Sequence, residues 1–147
     1  MSRRVVAAAV VSAAVMVVAF GNAWGQDAEE EMTDAEGVPT YKVEDGKVDR
    51  GTYNGFRRYH SSCHVCHGPD GLGSTFAPAL TESLERIDYW DFQDVVVNGR
   101  AVEGATGNRV MPAFGTDPNV MLHLDDIYRY IKARSDGNLG RGRPERL

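Results

Sequence analysis

An all-α architecture of three to five short helices is what this sequence predicts, and three observations carry the prediction. The first is the pentapeptide Cys63-His64-Val65-Cys66-His67. Two cysteines three apart, with a histidine directly after the second, form the pattern of covalent c-type haem attachment. The second is helical spacing of apolar residues, Tyr89, Phe92 and Val96 in one segment and Leu124, Ile127, Tyr128 and Ile131 in another. The third is size and composition. A chain of 147 residues suits one domain, its 42% hydrophobic and 25% charged residues are ordinary for a globular protein, and 16 glycines point to many loops. Together these give a few helices wrapped around one covalently attached haem.

The spacing in the pentapeptide has a chemical reason. On a helical turn, positions i and i+3 share a face, so the Cys63 and Cys66 sulfurs both reach one edge of a flat macrocycle and bond its vinyl groups as thioethers. His67 lies four residues after Cys63 and brings its ring beneath the iron as the proximal axial ligand. A disulfide between the two cysteines would close a very small loop and stabilise little. A structural zinc site needs four ligands, usually in two pairs, and no second pair accompanies Cys63 and Cys66. A thioredoxin-type redox pair fits poorly, because Gly68-Pro69 follows His67 where that fold continues a helix.

The chain divides into four parts. Residues 1–25 read as a cleaved secretory leader. Arg3 and Arg4 open it, an apolar run from 5 to 20 follows, and Ala23 and Gly25 precede polar Gln26. The run is shorter than the ~20 residues that span a bilayer, so no stable membrane insertion is expected once it is removed. Loss of Arg3 and Arg4 takes the formal net charge from -5 to -7. Nucleic acid is an unsuitable partner at that charge; a basic partner surface, or steering by local patches, remains open. Residues 26–48 read as an acidic linker, with Asp27, Glu29, Glu30, Glu31, Asp34 and Glu36 solvated and poorly ordered, then a strap in which Asp45-Gly46 permits a small hairpin. Residues 49–135 form the haem domain, and 136–147 an exposed tail rich in glycine and arginine.

Within the domain a first helix is expected over 49–66. It places Gly55, Tyr59 and Cys63 at successive i+4 steps. A glycine inside a helix costs about 1 kcal/mol, and close approach of another helix would explain it. Gly68-Pro69-Asp70-Gly71 ends the helix and leaves His67 at its terminus. A short helix is expected at 82–86. Another starts after Asp88, a good N-cap, and stops at Asn98-Gly99. Residues 100–110 lack any period and read as a loop. The last helix covers 124–134, with Asp125 and Asp126 in its first turn and Lys132 and Arg134 near its end, as the helix dipole prefers.

One histidine leaves one face of the iron open. Met111 is favoured to fill it over Met121, His60, His64 and His123. It lies in an irregular segment with no helical core face to serve, Pro112 stiffens the chain after it, and 44 residues separate it from His67. That is enough chain to pass round a haem. The plain alternative is a gap-filling core methionine. Arg100 and Arg109 flank the segment and are candidates for haem propionates, against simple surface solvation; Tyr89 and Trp90 are further candidates through their ring donors.

These residues resemble class I cytochromes c. Gly55, Tyr59 and Cys63 follow that family's glycine, aromatic, cysteine spacing; Ala77-Pro78-Ala79-Leu80 matches its proline loop, Met111-Pro112 its methionine-proline pair, and Leu124 to Arg134 with Tyr128 its closing helix. The resemblance implies a cytochrome c fold, with the Pro78 carbonyl accepting the proton of His67. The flanks Tyr41-Lys42-Val43, Gly51-Thr52-Tyr53-Asn54-Gly55 and Ala133-Arg134-Ser135-Asp136-Gly137 are similar to cytochromes c described as methanol-metabolism-related, which occur with quinoprotein (PQQ) alcohol dehydrogenases in methylotrophic bacteria. The expected function is a monomeric periplasmic one-electron carrier rather than an enzyme, with such a dehydrogenase as donor and a terminal oxidase as acceptor. The rival is a haem sensor or peroxidase-like protein whose Met111 ligand is labile or absent.

Overall fold

The computed structural model describes residues 32–103 and 109–147; the leader and the acids Asp27 to Glu31 lie outside them. In chain order the described residues hold β1 (Val43–Glu44), β2 (Lys47–Val48), α1 (Arg50–Ser62), α2 (His64–His67), a 3-10 turn (Pro69–Gly71), α3 (Leu80–Ser83), α4 (Tyr89–Asn98), β3 (Arg100–Val102), β4 (Arg109–Met111), α5 (Pro118–Met121), α6 (Leu124–Ser135) and β5 (Glu145–Arg146). Six helical segments replace the expected three to five because three of them, α2, α3 and α5, are single turns of four residues.

The frame is the crossing of α1 and α6. Asp49 caps α1 by accepting from the Thr52 amide on Oδ1 at 2.9 Å, while its Oδ2 accepts from both the Thr52 hydroxyl at 2.6 Å and the Lys42 N–H at 2.8 Å. That one carboxylate ties the β1–β2 hairpin to the helix start. Gly55 sits at the crossing, where a Cβ would stand 1.7 Å from the Asp126 carbonyl oxygen. Close approach is therefore the reason for a glycine there. Around it Tyr59, Ile127, Tyr130 and Ile131 are buried to 2% exposure or less, with Tyr59 and Tyr130 ring centroids 5.4 Å apart. Helix α4 adds Tyr89, Phe92 and Val96 on one face. Tyr89 and Phe92 meet Tyr128 at 4.9 and 5.3 Å. Asp88 caps α4 through the Asp91 amide at 2.8 Å, and α6 carries its acids and bases at the expected ends.

Several expectations are corrected. The first helix does not run unbroken to Cys66. It ends at Ser62, and Cys63 (φ -104°) starts a separate turn in which the Cys66 and His67 amides both reach the Cys63 carbonyl, at 3.2 and 3.0 Å. The short third helix lies at Leu80–Ser83 rather than 82–86, held by Ser83 Oγ donating to Ala79 O at 2.8 Å. The segment expected as a loop over 100–110 supplies two antiparallel strands, with Arg100 opposite Met111 and Val102 opposite Arg109; three-residue strands are too short to show a period. The acidic linker is structured from Met32 onward. Asp34 Oδ1 accepts from the Glu36 and Val38 amides at 3.0 and 2.9 Å, and Arg129 Nη2 donates to Met32 O at 3.1 Å. Nor is the C-terminal stretch simply exposed. Leu139 is buried, and β5 runs parallel to β2 as the third strand of the hairpin sheet.

Candidate metal centre

Helix α1 delivers Cys63 by direct continuity, its amide donating to Tyr59 O at 2.8 Å. Both cysteines are free thiols, Cys63 partly buried and Cys66 exposed. Before haem attachment, burial first, and then the neighbouring Cys66, push the Cys63 thiol up to about 12. The chain leaves His67 through Gly68 at φ 73°, a left-handed conformation that favours glycine. A Cβ on Gly68 would meet Gly73 O at 2.3 Å. The loop 68–73 is thus folded tightly back on itself, and Gly73 N–H donates to His67 O at 2.8 Å. Two side chains brace the same loop. Tyr59 OH, buried, donates to Gly68 O at 2.5 Å, and Ser74 Oγ donates to Cys66 O at 2.5 Å.

His67 is 7% exposed. Its Nδ1 donates to the Pro78 carbonyl at 2.9 Å. A carbonyl can only accept, so the proton sits on Nδ1 and the Nε2 lone pair is left to serve a metal. This is the arrangement that orients and strengthens a ligating imidazole.

Met111 ends β4 and is partly buried against the core. Three contacts fix its path. Arg100 pairs with it across the strands; Phe114 and Gly115 amides donate to Val96 and Val97 carbonyls at 2.9 and 3.0 Å; and Gly99 (φ 73°) lets the segment pass, since a Cβ there would stand 2.6 Å from Met111 O and 2.8 Å from Ala113 N. Gly99 was legible as a helix stop, but its second task, admitting the methionine segment, depends on a contact that sequence spacing does not reveal. Tyr59 and Gly73 are likewise site-building residues whose roles only the fold discloses.

Arg100 is exposed and, as the cross-strand neighbour of Met111, shares its face of the hairpin. The Arg109 side chain lies outside the described residues. Tyr89 is not a free ring donor, because its hydroxyl donates to Asp125 at 2.5 Å; Trp90 is exposed. Met121 packs against the core. His60 donates from Nδ1 to Phe56 O at 2.8 Å, and His123 Nδ1 accepts from Asn54 Nδ2 at 3.2 Å. Among the described residues no three His, Cys, Asp or Glu side chains converge as a metal cluster.

The residues present fit a haem. Two free thiols stand three apart beside a buried imidazole whose Nε2 is available. Large apolar side chains are exposed along the same segments, Leu72 and Phe76 in the loop that leads to Pro78, and Val102 and Val110 on the strands that carry Met111. Exposed apolar area of this kind marks a binding surface.

Known proteins agree. The family model described as Cytochrome C oxidase, cbb3-type, subunit III matches residues 52–131. Cytochrome c-553I of Paracoccus denitrificans is 53% identical over 111 residues, which is 75% of this chain and 49% of that protein. Cytochrome c-555 of Methylococcus capsulatus is 40% identical over 100 residues, 67% of this chain and 75% of that one. The crystal structure of the c-type cytochrome XoxG from Methylobacterium extorquens AM1 superposes with a TM-score of 0.70 at 49% identity, covering 78% of this chain and 70% of that one. The chain spans about half the length of cytochrome c-553I. With the haem-attachment segment at Cys63 and Cys66 and this fold, the chain belongs to the class I c-type cytochromes, in the family of that matching model, and its cofactor is one covalently bound haem c with its iron.

Proposed function

We propose that this cytochrome is a periplasmic one-electron carrier in which Cys63 and Cys66 would hold the haem through thioethers, His67 and Met111 would ligate its iron, and Pro78 orients the His67 ring. The observation that carries the reading is the buried His67 imidazole, committed through Nδ1 to Pro78 at 2.9 Å. The bound haem supplies an iron that cycles between ferrous and ferric states by a single electron. Everything else falls to the chain. The Pro78 carbonyl keeps the proton on Nδ1. The Met111 thioether is a soft, neutral donor that favours the ferrous state and raises the potential. The apolar side chains around both segments act in the same direction, since a low dielectric disfavours the more charged ferric site. With His67 and Met111 both bound, no position is left for oxygen or a substrate, which favours a carrier over a sensor or peroxidase. Arg100, exposed across the strands from Met111, and Arg109, two residues before it, are the proposed propionate partners.

The cellular assignment rests on sequence. Residues 1–25 are proposed to be removed on export, and no helix among the described residues is long and apolar enough to cross a membrane. The flanking segments similar to methanol-metabolism-related cytochromes support a quinoprotein (PQQ) alcohol dehydrogenase as donor, with a terminal oxidase as acceptor and a monomer as the working form. Two experiments test this. The ferric protein should show the weak methionine-to-iron charge-transfer band and the ferrous protein should bind carbon monoxide slowly; absence of the band with fast carbon monoxide binding removes the carrier reading. Stopped-flow mixing with a quinoprotein dehydrogenase and its alcohol should reduce the haem. No reduction there removes the donor assignment alone.

A further inference from the structure

The chain is acidic overall, at a net -5, yet one of its faces is built of arginine. A groove of about 610 Å³ lies between α1 and the start of α6, and Arg50, Arg57, Arg58 and Arg146 are among its lining residues. A second hollow of about 300 Å³ shares Arg57 and Arg58 and adds Arg143. Tyr53 stands between the two walls. The Arg143 and Arg146 guanidinium carbons lie 5.7 and 5.5 Å from its ring centre, and Arg143 also donates to its hydroxyl. These side chains are held in place before any partner arrives.

The arginines lining the two hollows outnumber the acids, Asp125 and Asp126. Among the described residues, none of Arg57, Arg58, Arg143 and Arg146 has a carboxylate at ion-pair distance. Asp126 pairs with Arg129 at 3.0 Å and accepts from Asn54 at 2.7 Å, while Asp125 accepts from the Tyr89 hydroxyl at 2.5 Å and keeps its charge. One end of this face lies near the haem-attachment segment along the chain. Arg58 is five residues before Cys63, a rise of about 8 Å along a helix.

We propose that this arginine face is the docking surface for a carboxylate-rich patch on a protein partner. A guanidinium presents paired donors in a fork that matches a carboxylate, and opposed local charge speeds encounter more than it tightens binding, which suits a brief electron-transfer contact. A protein patch is favoured over a nucleic acid or a lipid surface because an extended polyanion would also meet the acidic remainder of the molecule. That the partner is a redox protein rests on the carrier reading; the binding chemistry does not.

The test uses the haem-loaded, isotope-labelled mature chain in its ferrous state, with hexaglutamate as probe at about 20 mM ionic strength. Peptide-induced NMR shifts are expected to cluster on Arg57, Arg58, Arg143 and Arg146 and to vanish at about 0.3 M salt. A combined R57Q, R58Q and R146Q variant should bind about tenfold more weakly, with the visible spectrum and unfolding midpoint unchanged. Shifts scattered over other faces, or none at low salt, overturn the proposal. So does binding that appears only once Asp27, Glu29, Glu30 and Glu31 are neutralised, because the occupant is then the chain's own acidic segment. Tighter binding to phosphatidylglycerol vesicles than to the peptide overturns it in favour of a lipid surface. None of these readouts needs electron transfer, so failure of the carrier reading is separately visible.

Discussion

Replacing Gly55 with alanine tests the helix crossing on which the haem site rests. Considered as an isolated helix, α1 should gain about 1 kcal/mol from Gly55→Ala. The structure predicts the opposite sign. The added Cβ would lie 1.7 Å from the Asp126 carbonyl oxygen, 2.4 Å from its carbon and 3.0 Å from the Tyr130 Cβ. Two of these three atoms are backbone, so no side-chain rotation relieves the overlap, and α1 and α6 must separate by about 1.5 Å to restore ordinary contact. A radial gap of even 0.5–1 Å forfeits roughly a quarter to a half of the dispersion well for each facing atom. Tyr59, Tyr130 and Ile131 of the two helices are each 1% exposed or less. Overpacking against backbone therefore costs about 4 kcal/mol, beyond the usual ~1–3 for a core insertion, and about 3 kcal/mol remains after the propensity gain. Urea unfolding of the holoprotein, followed by far-ultraviolet circular dichroism, measures it. Gly51→Ala is the control. Its Cβ would meet side-chain ends and no backbone, Arg129 Nη1 at 2.7 Å, Asp126 Oδ1 at 2.9 Å and Asp49 Oδ1 at 3.3 Å, so its loss should stay below about 1 kcal/mol. A Gly55→Ala protein as stable as the parent would refute the crossing geometry.

Met111→Ala should abolish the methionine-to-iron band, lower the potential and speed carbon monoxide binding to the ferrous form; a spectrum unchanged by the substitution removes Met111 as ligand. Two buried tyrosines should respond in opposite ways to loss of the hydroxyl. Tyr59→Phe deletes a 2.5 Å bond to Gly68 O and should cost about 1–2 kcal/mol, while Tyr130→Phe removes a hydroxyl that meets no partner among the described residues and should be neutral or stabilising. Equal losses in urea titrations would show that the Tyr130 hydroxyl has a partner in the holoprotein. Acid should selectively loosen the loop after His67. Burial raises the Asp70 carboxyl, but the Gly142 amide, Arg141 and Arg134 outweigh it and hold it below its ordinary value. A depressed folded value means that its contribution is present above the unfolded pKa of about 4 and is lost as pH falls through the folded one. Asp70→Asn should thus be less stable than the parent at pH 6, with the gap narrowing as pH falls below about 4; a gap that stays constant with pH counts against the linkage.

What was legible in the sequence was whatever local spacing encodes. Gly55 carried its own explanation, because a glycine four residues before an aromatic and eight before a haem cysteine makes sense only at a close crossing. Asp88 announced a cap, and Cys63 to His67 a cofactor. What was illegible depends on pairs far apart in the chain or on elements too short to have a period. The strands β3 and β4 have three residues each, so a polar, glycine-bearing stretch concealed them. The break at Cys63 interrupts a helix with no proline or glycine to mark it. Net charge was silent on the local pattern. An acidic total left both a basic partner surface and local patches open, and Tyr53 gathers Arg143 and Arg146 beside the arginines of α1, a juxtaposition only the fold creates.

The C-terminal stretch shows why such distant pairs matter to the redox site. Asp70 lies three residues beyond His67 in a left-handed conformation (φ 62°), 6% exposed. Its carboxylate accepts from Gly142 N–H at 2.9 Å and Arg141 Nε at 3.2 Å, and its carbonyl accepts from Arg134 Nε at 3.2 Å. Arg134 also donates to Leu139 O at 2.8 Å, so helix α6, the tail and the His67 loop meet at one arginine and one aspartate. Ending the chain after Asn138 removes the Gly142 bond, the largely exposed and screened Arg141 pair, the buried Leu139 and strand β5. Burial of Leu139 alone is worth about 1.5–3 kcal/mol, and the Gly142 bond to a charged acceptor about 1.5–3 more. The loss should be felt first where the tail touches the loop. Hydrogen exchange of the Gly73 amide, which donates to His67 O at 2.8 Å, is predicted to accelerate by at least about tenfold, while amides in the middle of α4 accelerate only as far as global stability falls. Exchange at Gly73 that changes no more than at α4 would mean that the tail stabilises the domain as a whole and does not brace the His67 loop.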